Sequence, residues 1–365
     1  MPQGLGQTGQ LLVLLADTAA ARRNQGDALG GRHGAPFIVN RKYTIKRPAV
    51  KGPAAGFAGA RCYPPGMTVQ EAARMAEHYR ALREDGMRID APWLSAVRLT
   101  GPDTRSFLQG LATQDLERTE PGRGAITWFT TERGRPIALA WALVEADDAA
   151  WIVADETEPG ALLKHFDRFR VMEDVEFAPS PRPVLAFAGP RRDPLLTQAG
   201  GLEAVAIQSQ PLSFLLNSGA DPGIPAADPA SVEAWRVGLG LPRAGIDFGP
   251  DRLVTELAHP DAISADKGCY VGQEIVARTS HRGQVRRSRS GFRFGWTGDV
   301  RGAEVRTADG QPAGILTSAA PEPGTSRGFG MGYLSTEPQI RELSLVLLQG
   351  AATIPVDALL WPLWS

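Results

Sequence analysis

Residues 124–155, GAITWFTTERGRPIALAWALVEADDAAWIVAD, limit the fold more than any other stretch of the chain. Three apolar runs are divided by ERGR (132–135) and ADD (146–148), and Gly134 can supply the positive φ of a tight turn. The stretch reads as three consecutive antiparallel strands. Helical patterns flank it. LTGPDTRSFLQGLATQDL (99–116) puts Phe107, Leu108 and Leu111 on one face, with Thr100 or Asp103 as the cap. TEPGALLKHFDRF (157–169) is amphipathic, with Pro159 near its first turn. Short apolar runs at 175–218 read as strands, with a weaker helix at 190–199. SVEAWRVGLGLPRAG (231–245) opens with a helix that Gly and Pro end. After 284 the pattern is strand, turn, strand with frequent Gly, a small all-β domain of barrel type. Hairpins with helices on one face make the class α+β.

The first 86 residues differ from the rest. Residues 1–70 carry nine Lys/Arg and two acids, Asp17 and Asp27, with many Gly, Pro and Ala. Their periodicity is poor until TVQEAARMAEHYRALRE (68–84), which has an N-cap Thr68 and a helical pattern. The expectation is an N-terminal extension over 1–86, largely unable to bury enough to order itself, or a start assigned too early, with Met87 the natural beginning. An α+β region would then cover 87–283 in two interleaved subdomains, the second at roughly 138–228, and the barrel 284–365.

With 43% hydrophobic and 22% charged residues the chain can build a sizeable core, and its net charge of −1 sets up no global field for nucleic acid or membrane. Two distant cysteines, Cys62 and Cys269, make no disulfide framework. Neither LLVLLA (11–16) nor the interrupted C-terminal apolar stretch is long enough to span a bilayer. A cytoplasmic location and no membrane partner are expected.

The candidate site is DKGCYVGQEIVAR (266–278), which holds one of two cysteines and one of five lysines. Helical spacing from Val271 to Thr279 sets Cys269 and Tyr270 at or just before a helix N-terminus. Free N–H groups and the helix dipole there favour a thiolate, and Lys267 would add to that. Gly268 and Gly272 permit a sharp turn or close approach of a ligand. Gln273 and Glu274 offer an amide and a carboxylate. Local physics leaves a second reading open: a lone cysteine is more often a packed small hydrophobe. His259 and His281 are candidate bases for a Cys–His pair, without an identifiable orienting residue. No CxxC or HxxxH spacing points to a metal. Six arginines, at 278, 282, 286, 287, 289 and 293, lie in a run without acids that suits phosphates or a polycarboxylate, or is simply a solvated face.

KGCYVGQE (267–274) resembles the signature of the YgfZ-type folate-binding proteins, in the superfamily of the glycine-cleavage aminomethyltransferase, the T-protein. GPDTRSFLQGLATQDL, WFTTERGRPIALAWAL, LLKHFDRFRVMEDVEF, WRVGLGLPRAGIDFGPDRLVTEL and ARTSHRGQVRR are similar to that family's segments in the same order, over about residues 88–340. The resemblance implies an aminomethyltransferase-like three-domain ring with a central folate pocket and a C-terminal β-barrel. It implies binding of tetrahydrofolate or a derivative. It also implies support of iron–sulfur cluster assembly or repair, and so of iron–sulfur enzymes such as tRNA-thiolating radical enzymes. Carried over by position, Cys269 is the functional thiol. Lys267, Tyr270, Gly272, Gln273, Glu274, Arg278, Arg236, Gln109 and Thr113 are the candidate folate contacts. Gly268, Asp115, Asp247, Glu256 and Gly283 also match, the two aspartates with cap or turn roles open. The rival reading is a folate-dependent aminomethyl or one-carbon transferase or demethylase related to the T-protein, although the T-protein's catalytic context is not recognisable here. A module binding RNA through the arginines is a third reading, and direct nucleic-acid binding is not expected from a neutral chain without an RNA-binding motif.

Overall fold

Alternation of small and large residues in PIALAWALV sets the layers. The structure, a computed structural model, describes residues 66–363 except 200–204, 210–211, 217–220, 258, 283–284, 338–339, 341–342, 351 and 360; at 205–209, 260 and 281–282 the backbone alone is described. Helix α1 (Val69–Glu84) leads into β1 (Met87–Asp90) and β2 (Ser95–Thr100). Helix α2 (Thr104–Leu111) precedes the meander β3 (Arg123–Thr130), β4 (Pro136–Ala146) and β5 (Ala149–Glu156). Then come α3 (Ala161–Phe169), β6 (Glu176–Pro179), β7 (Leu185–Ala188), α4 (Arg192–Ala199), β8 (Val205–Ser209), β9 (Leu212–Leu216) and α5 (Pro229–Leu239). Two short 3₁₀ turns, Val254–Leu257 and Pro260–Ala262, lead to α6 (Gln273–Arg282). The chain closes with β10 (Arg287–Gly295), β11 (Glu304–Thr307), β12 (Pro312–Pro321), β13 (Arg327–Ser335), β14 (Leu345–Gln349) and β15 (Ala352–Leu359).

One sheet has the order β3-β4-β5-β2-β6 and a second β1-β7-β9-β8. Successive side chains of a strand point to opposite faces. On β4 the alanines 138, 140 and 142 therefore share one face, where Phe107, Leu108 and Leu111 of α2 and Leu162 and Phe166 of α3 pack. Their small size lets both helices approach. Leu139, Trp141 and Leu143 face the second sheet, and Trp141 meets Phe214 of β9 at 5.2 Å between rings.

The second sheet takes its edge strand from β1 and the rest from 185–216, so the subdomains interleave differently from the expected 138–228 block. A boundary at 138 would cut β4, which is held to β3 through a tight turn at Gly134 with φ 66°. The boundary at 86 also moves. Thr68 and Glu71 form a capping box, and Ala72, Met75, Tyr79 and Leu82 of α1 are buried. Ser231 Oγ of α5 donates to Met75 O at 2.9 Å, so residues 69–84 belong to the folded body. Composition misled because the amphipathic helix was counted with the basic, glycine-rich stretch before it. Residues 1–65, with Cys62, lie outside the described residues.

Strands β10 to β15 close into a six-stranded barrel of order β10-β13-β12-β11-β14-β15. On β13, Phe329, Met331 and Tyr333 join the core shared with the body. Gly330 lies on the opposite face, where an added Cβ would come within 2.8 Å of Leu316 and 3.2 Å of Phe294. Glycine there leaves the barrel interior to those two large side chains. No described helix is long and apolar enough to cross a membrane.

Candidate functional site

The signature runs along the exit of α2 and is bonded to it at several points. Lys267 is buried, and its Nζ donates to Gln109 O, Ala112 O and Gln114 O at 2.7, 2.6 and 3.0 Å. Helix C-termini leave carbonyls without partners, and one ammonium serves three of them here. Val271 N donates to Gly110 O, and Thr130 Oγ1 of β3 donates to Val271 O at 2.6 Å. Gly272 has φ 87°, and a Cβ there would stand 2.5 Å from Thr131 O and 2.6 Å from Thr130 Oγ1. Glycine at 272 is thus required by close approach to the β3–β4 hairpin.

This geometry corrects several expectations. Helix α6 begins at Gln273, not Val271, because the turn at Tyr270–Gly272 intervenes, and Gln273 N closes it on Tyr270 O. Cys269 lies four residues ahead, beyond the reach of a dipole that fades within the first turn. Lys267 spends its three ammonium protons on carbonyls of the α2 exit, so its charge is used inside the fold. Desolvation pushes its ammonium down to about 8, against the pull of Asp115 and Glu117. Cys269 is free and exposed, so the packed-cysteine reading does not hold. Tyr270 is buried, which pushes its phenol up to about 12, and its ring lies 5.2 Å from the Lys267 ammonium. Burial and the Arg289 guanidinium push the His259 imidazole down to about 3.

The remaining candidates divide into internal ties and free groups. Gln109 Nε2 donates to Asp115, and its Oε1 accepts from Leu116 N at 2.8 Å. Thr113, fully buried, donates to Ala262 O and accepts from Trp128 N at 2.9 Å. Both stand beside the signature, yet their side chains are used up. Glu274 and Arg278 pair with each other on the exposed face of α6. Gln273 is half-buried, and its side chain has no hydrogen-bond partner among the described residues.

Arg236 serves a different place. Its Nη1 meets Asp247 Oδ2 at 2.6 Å, its Nε meets Glu233 at 2.9 Å, and its Nη2 meets Ser318 Oγ of the barrel at 2.7 Å. Asp247 also accepts from Thr317, Ser318 and Arg243 N, while Tyr333 donates to its carbonyl. This buried network seats the barrel on α5. Nor do the arginines of 278–293 form one patch. Arg289 points inward from β10, donating to Leu257 O and Gly240 O, as the two-residue period of a strand requires. Arg286 and Arg287 are exposed. Among the described residues no group of three or more His, Cys, Asp or Glu could hold a metal ion.

Sequence reasoning missed a cleft between the sheets, where the β1–β2 connection, the end of β5 and the turn after α5 meet. Trp93, Trp141 and Trp235 line it with Asp155 and Arg243. Its walls stand close together, and the cavity measures only about 30 Å³. Asp155 is 5% exposed, and Ala244 N donates to it at 3.1 Å. Burial pushes its carboxyl up to about 6, although Ala244 N and the Arg243 and Arg236 guanidinium groups pull it down. Arg243 stacks over Trp93 at 4.3 Å. Among the described residues the Nε of Arg243 and the Nε1 of Trp141 are buried without hydrogen-bond partners, as are other indole N–H groups. An acid ending a strand at an apolar face was the available signal in AWIVAD.

Comparison with known proteins agrees with this geometry. Residues 41–213 match the GCVT N-terminal domain family, a match that begins well before residue 87. The human iron–sulfur cluster assembly factor IBA57, mitochondrial, is 29% identical over 62% of this chain and 72% of its own length. The mouse protein of the same name is 28% identical over 52% of this chain and 62% of its own. A putative chloroplastic transferase of Arabidopsis thaliana is 22% identical over 68% of this chain and 65% of its own, so for these two relatives the match spans less than two thirds of the protein. The crystal structure of the glycine cleavage system aminomethyltransferase T from Bartonella henselae superposes with a TM-score of 0.68. It is 17% identical, over 79% of this chain and 89% of that one. The chain has an aminomethyltransferase-like fold with a C-terminal six-stranded barrel, its residues 41–213 match the GCVT N-terminal domain family, and it is similar in sequence to the IBA57 iron–sulfur cluster assembly factors.

Proposed function

We propose that this protein is a YgfZ-type accessory factor that binds tetrahydrofolate or a derivative and supports iron–sulfur cluster assembly or repair. Through that role it serves iron–sulfur enzymes such as the radical enzymes that thiolate tRNA. The observation that carries the reading is the likeness to assembly factors over 62% of the chain. The site supports it: the signature loop is held by Lys267 and Gly272, yet it leaves Cys269 exposed. Such a thiol is free to meet a cluster, a partner surface or a bound ligand, whereas a packed one is not.

Equilibrium dialysis tests the folate half; absence of binding at millimolar tetrahydrofolate would remove it. For the thiol, Cys269→Ser is assayed for tRNA methylthiolation in a strain lacking the gene. Loss of rescue with unchanged protein level is the expected result, and full rescue would return Cys269 to a passive surface residue. Release of a one-carbon unit from methylamine or glycine-derived substrates would instead favour a folate-dependent transferase. The cytoplasm is the proposed compartment, on the scarcity of cysteine; the human and mouse relatives are described as mitochondrial, and cell fractionation tests the point.

A further inference from the structure

We propose that the turn between α3 and β6 is a docking knob, whose Val171 and Met172 insert into an apolar notch on a client protein. The inference deepens the accessory-factor reading and rests on it for the identity of that client.

The two side chains stand out of a turn that is tied down on both sides of them. Val171 is 81% exposed and Met172 90%. The other exposed large hydrophobics among the described residues, Val69, Ile246 and Leu343, stand singly, as is ordinary on a surface. Val171 N and Met172 N both donate to Glu173 Oε2, at 2.8 and 3.0 Å. Asp174 N donates to Asp103 Oδ2 at 2.8 Å, which fastens the turn to the start of α2. Arg170 donates to Asp167 at 3.1 Å and to Val175 O at 3.4 Å, and its guanidinium lies 4.7 Å from the centre of the Phe177 ring. Val175, just beyond the turn, is buried. The turn thus covers an aromatic ring with an arginine and leaves its two apolar side chains in water. A loop already fixed in shape loses little conformational freedom on binding. Methionine is enriched at interfaces, and its flexible thioether adapts to more than one partner surface.

Charge and size select the occupant. Residues 164–176 carry three cations, Lys164, Arg168 and Arg170, against four anions, Asp167, Glu173, Asp174 and Glu176. This excess of acid offers no attraction to an anionic bilayer. Two side chains fall far short of the roughly 800 Å² per partner that a stable interface buries, so a permanent second copy does not fit. A short-lived complex with another protein does. The knob is bonded to the start of α2 and the signature loop to its end, so the eight residues of that helix, about 12 Å, separate the two. One client surface can cover the knob and reach the loop that carries Cys269.

Biolayer interferometry of the purified full chain against a purified tRNA-methylthiolating radical enzyme tests this, for the wild type and for the double variant Val171→Ser, Met172→Ser. Both positions are exposed, so the thermal transition should not move, while the Kd for the client is expected to rise roughly 10-fold or more. Met172→Ser alone gives the answer if the double variant does not fold. A client bound equally by wild type and variant overturns the knob and keeps the accessory reading. So does a wild type that binds no client yet restores methylthiolation in a strain lacking the gene. A wild type that neither binds nor restores removes both. Self-association on sedimentation, or binding to phosphatidylserine–phosphatidylcholine vesicles, that the double variant abolishes while client binding stays intact gives the turn another occupant and overturns the proposal.

Discussion

The barrel-seating network and the tryptophan-lined cleft both bury charged groups, and they treat them in opposite ways. Around Arg236 and Asp247 every strong donor meets an acceptor: two carboxylates, a hydroxyl and a backbone carbonyl surround one guanidinium. In the cleft, Asp155 has one backbone donor, and Arg243 Nε and Trp141 Nε1 have no acceptor. A satisfied buried network holds a frame, since each member is costly to remove. An unsatisfied one costs stability. The Lys267 tie of the signature belongs with the first kind, and exposed Cys269 with neither.

The largest expected effect lies in the frame. Asp247→Ala leaves the buried Arg236 with Glu233 as its one carboxylate and should lower stability by about 3 kcal/mol in a denaturant titration. A loss below about 1 kcal/mol would mean that the barrel is seated by its apolar contacts alone. Lys267→Met leaves three carbonyls at the end of α2 without a donor, and about 3 kcal/mol should be lost by the same measurement.

Asp155→Asn should act the other way. Burial holds the Asp155 carboxyl at about 6, above its ordinary 3.8. A raised folded pKa means the native state binds more protons than the unfolded one between these values, so this group's contribution weakens as pH rises through that window. At pH 8 the asparagine variant should therefore be more stable than wild type, by about 1–2 kcal/mol, and its thermal unfolding should lose the decline between pH 4 and 6. Destabilisation at pH 8 would place Asp155 with the frame and erase the contrast. Cys269→Ser, exposed and unpaired, should change stability by less than about 0.5 kcal/mol, so any functional loss reports on the thiol itself.

Legibility followed the range of the interactions. The β3–β4–β5 meander, its Gly134 turn and the helices at 104–111 and 161–169 were readable because strand alternation, turn φ and helical faces are properties of neighbouring residues. The Thr68 cap was readable for the same reason, although the helix it starts was assigned to the wrong side of a boundary. The signature was recognisable as a stretch, and its residues do gather with Gln109 and Thr113. The split within it was not readable. Lys267 finds its carbonyls more than 150 residues away, and only the fold could turn it inward while leaving Cys269 outside. Arg236 and Arg289 read equally well as ligand contacts until their partners, set by the docking of the barrel, were placed.

The sequence by itself determined the layers, the barrel and the stretch that carries the signature, since periodicity and turn chemistry act along the chain. Tertiary structure alone decided which polar groups are spent and which remain free. That follows from where α2, β5, the turn after α5 and the barrel meet, because a charged side chain takes its role from the partners that burial leaves it.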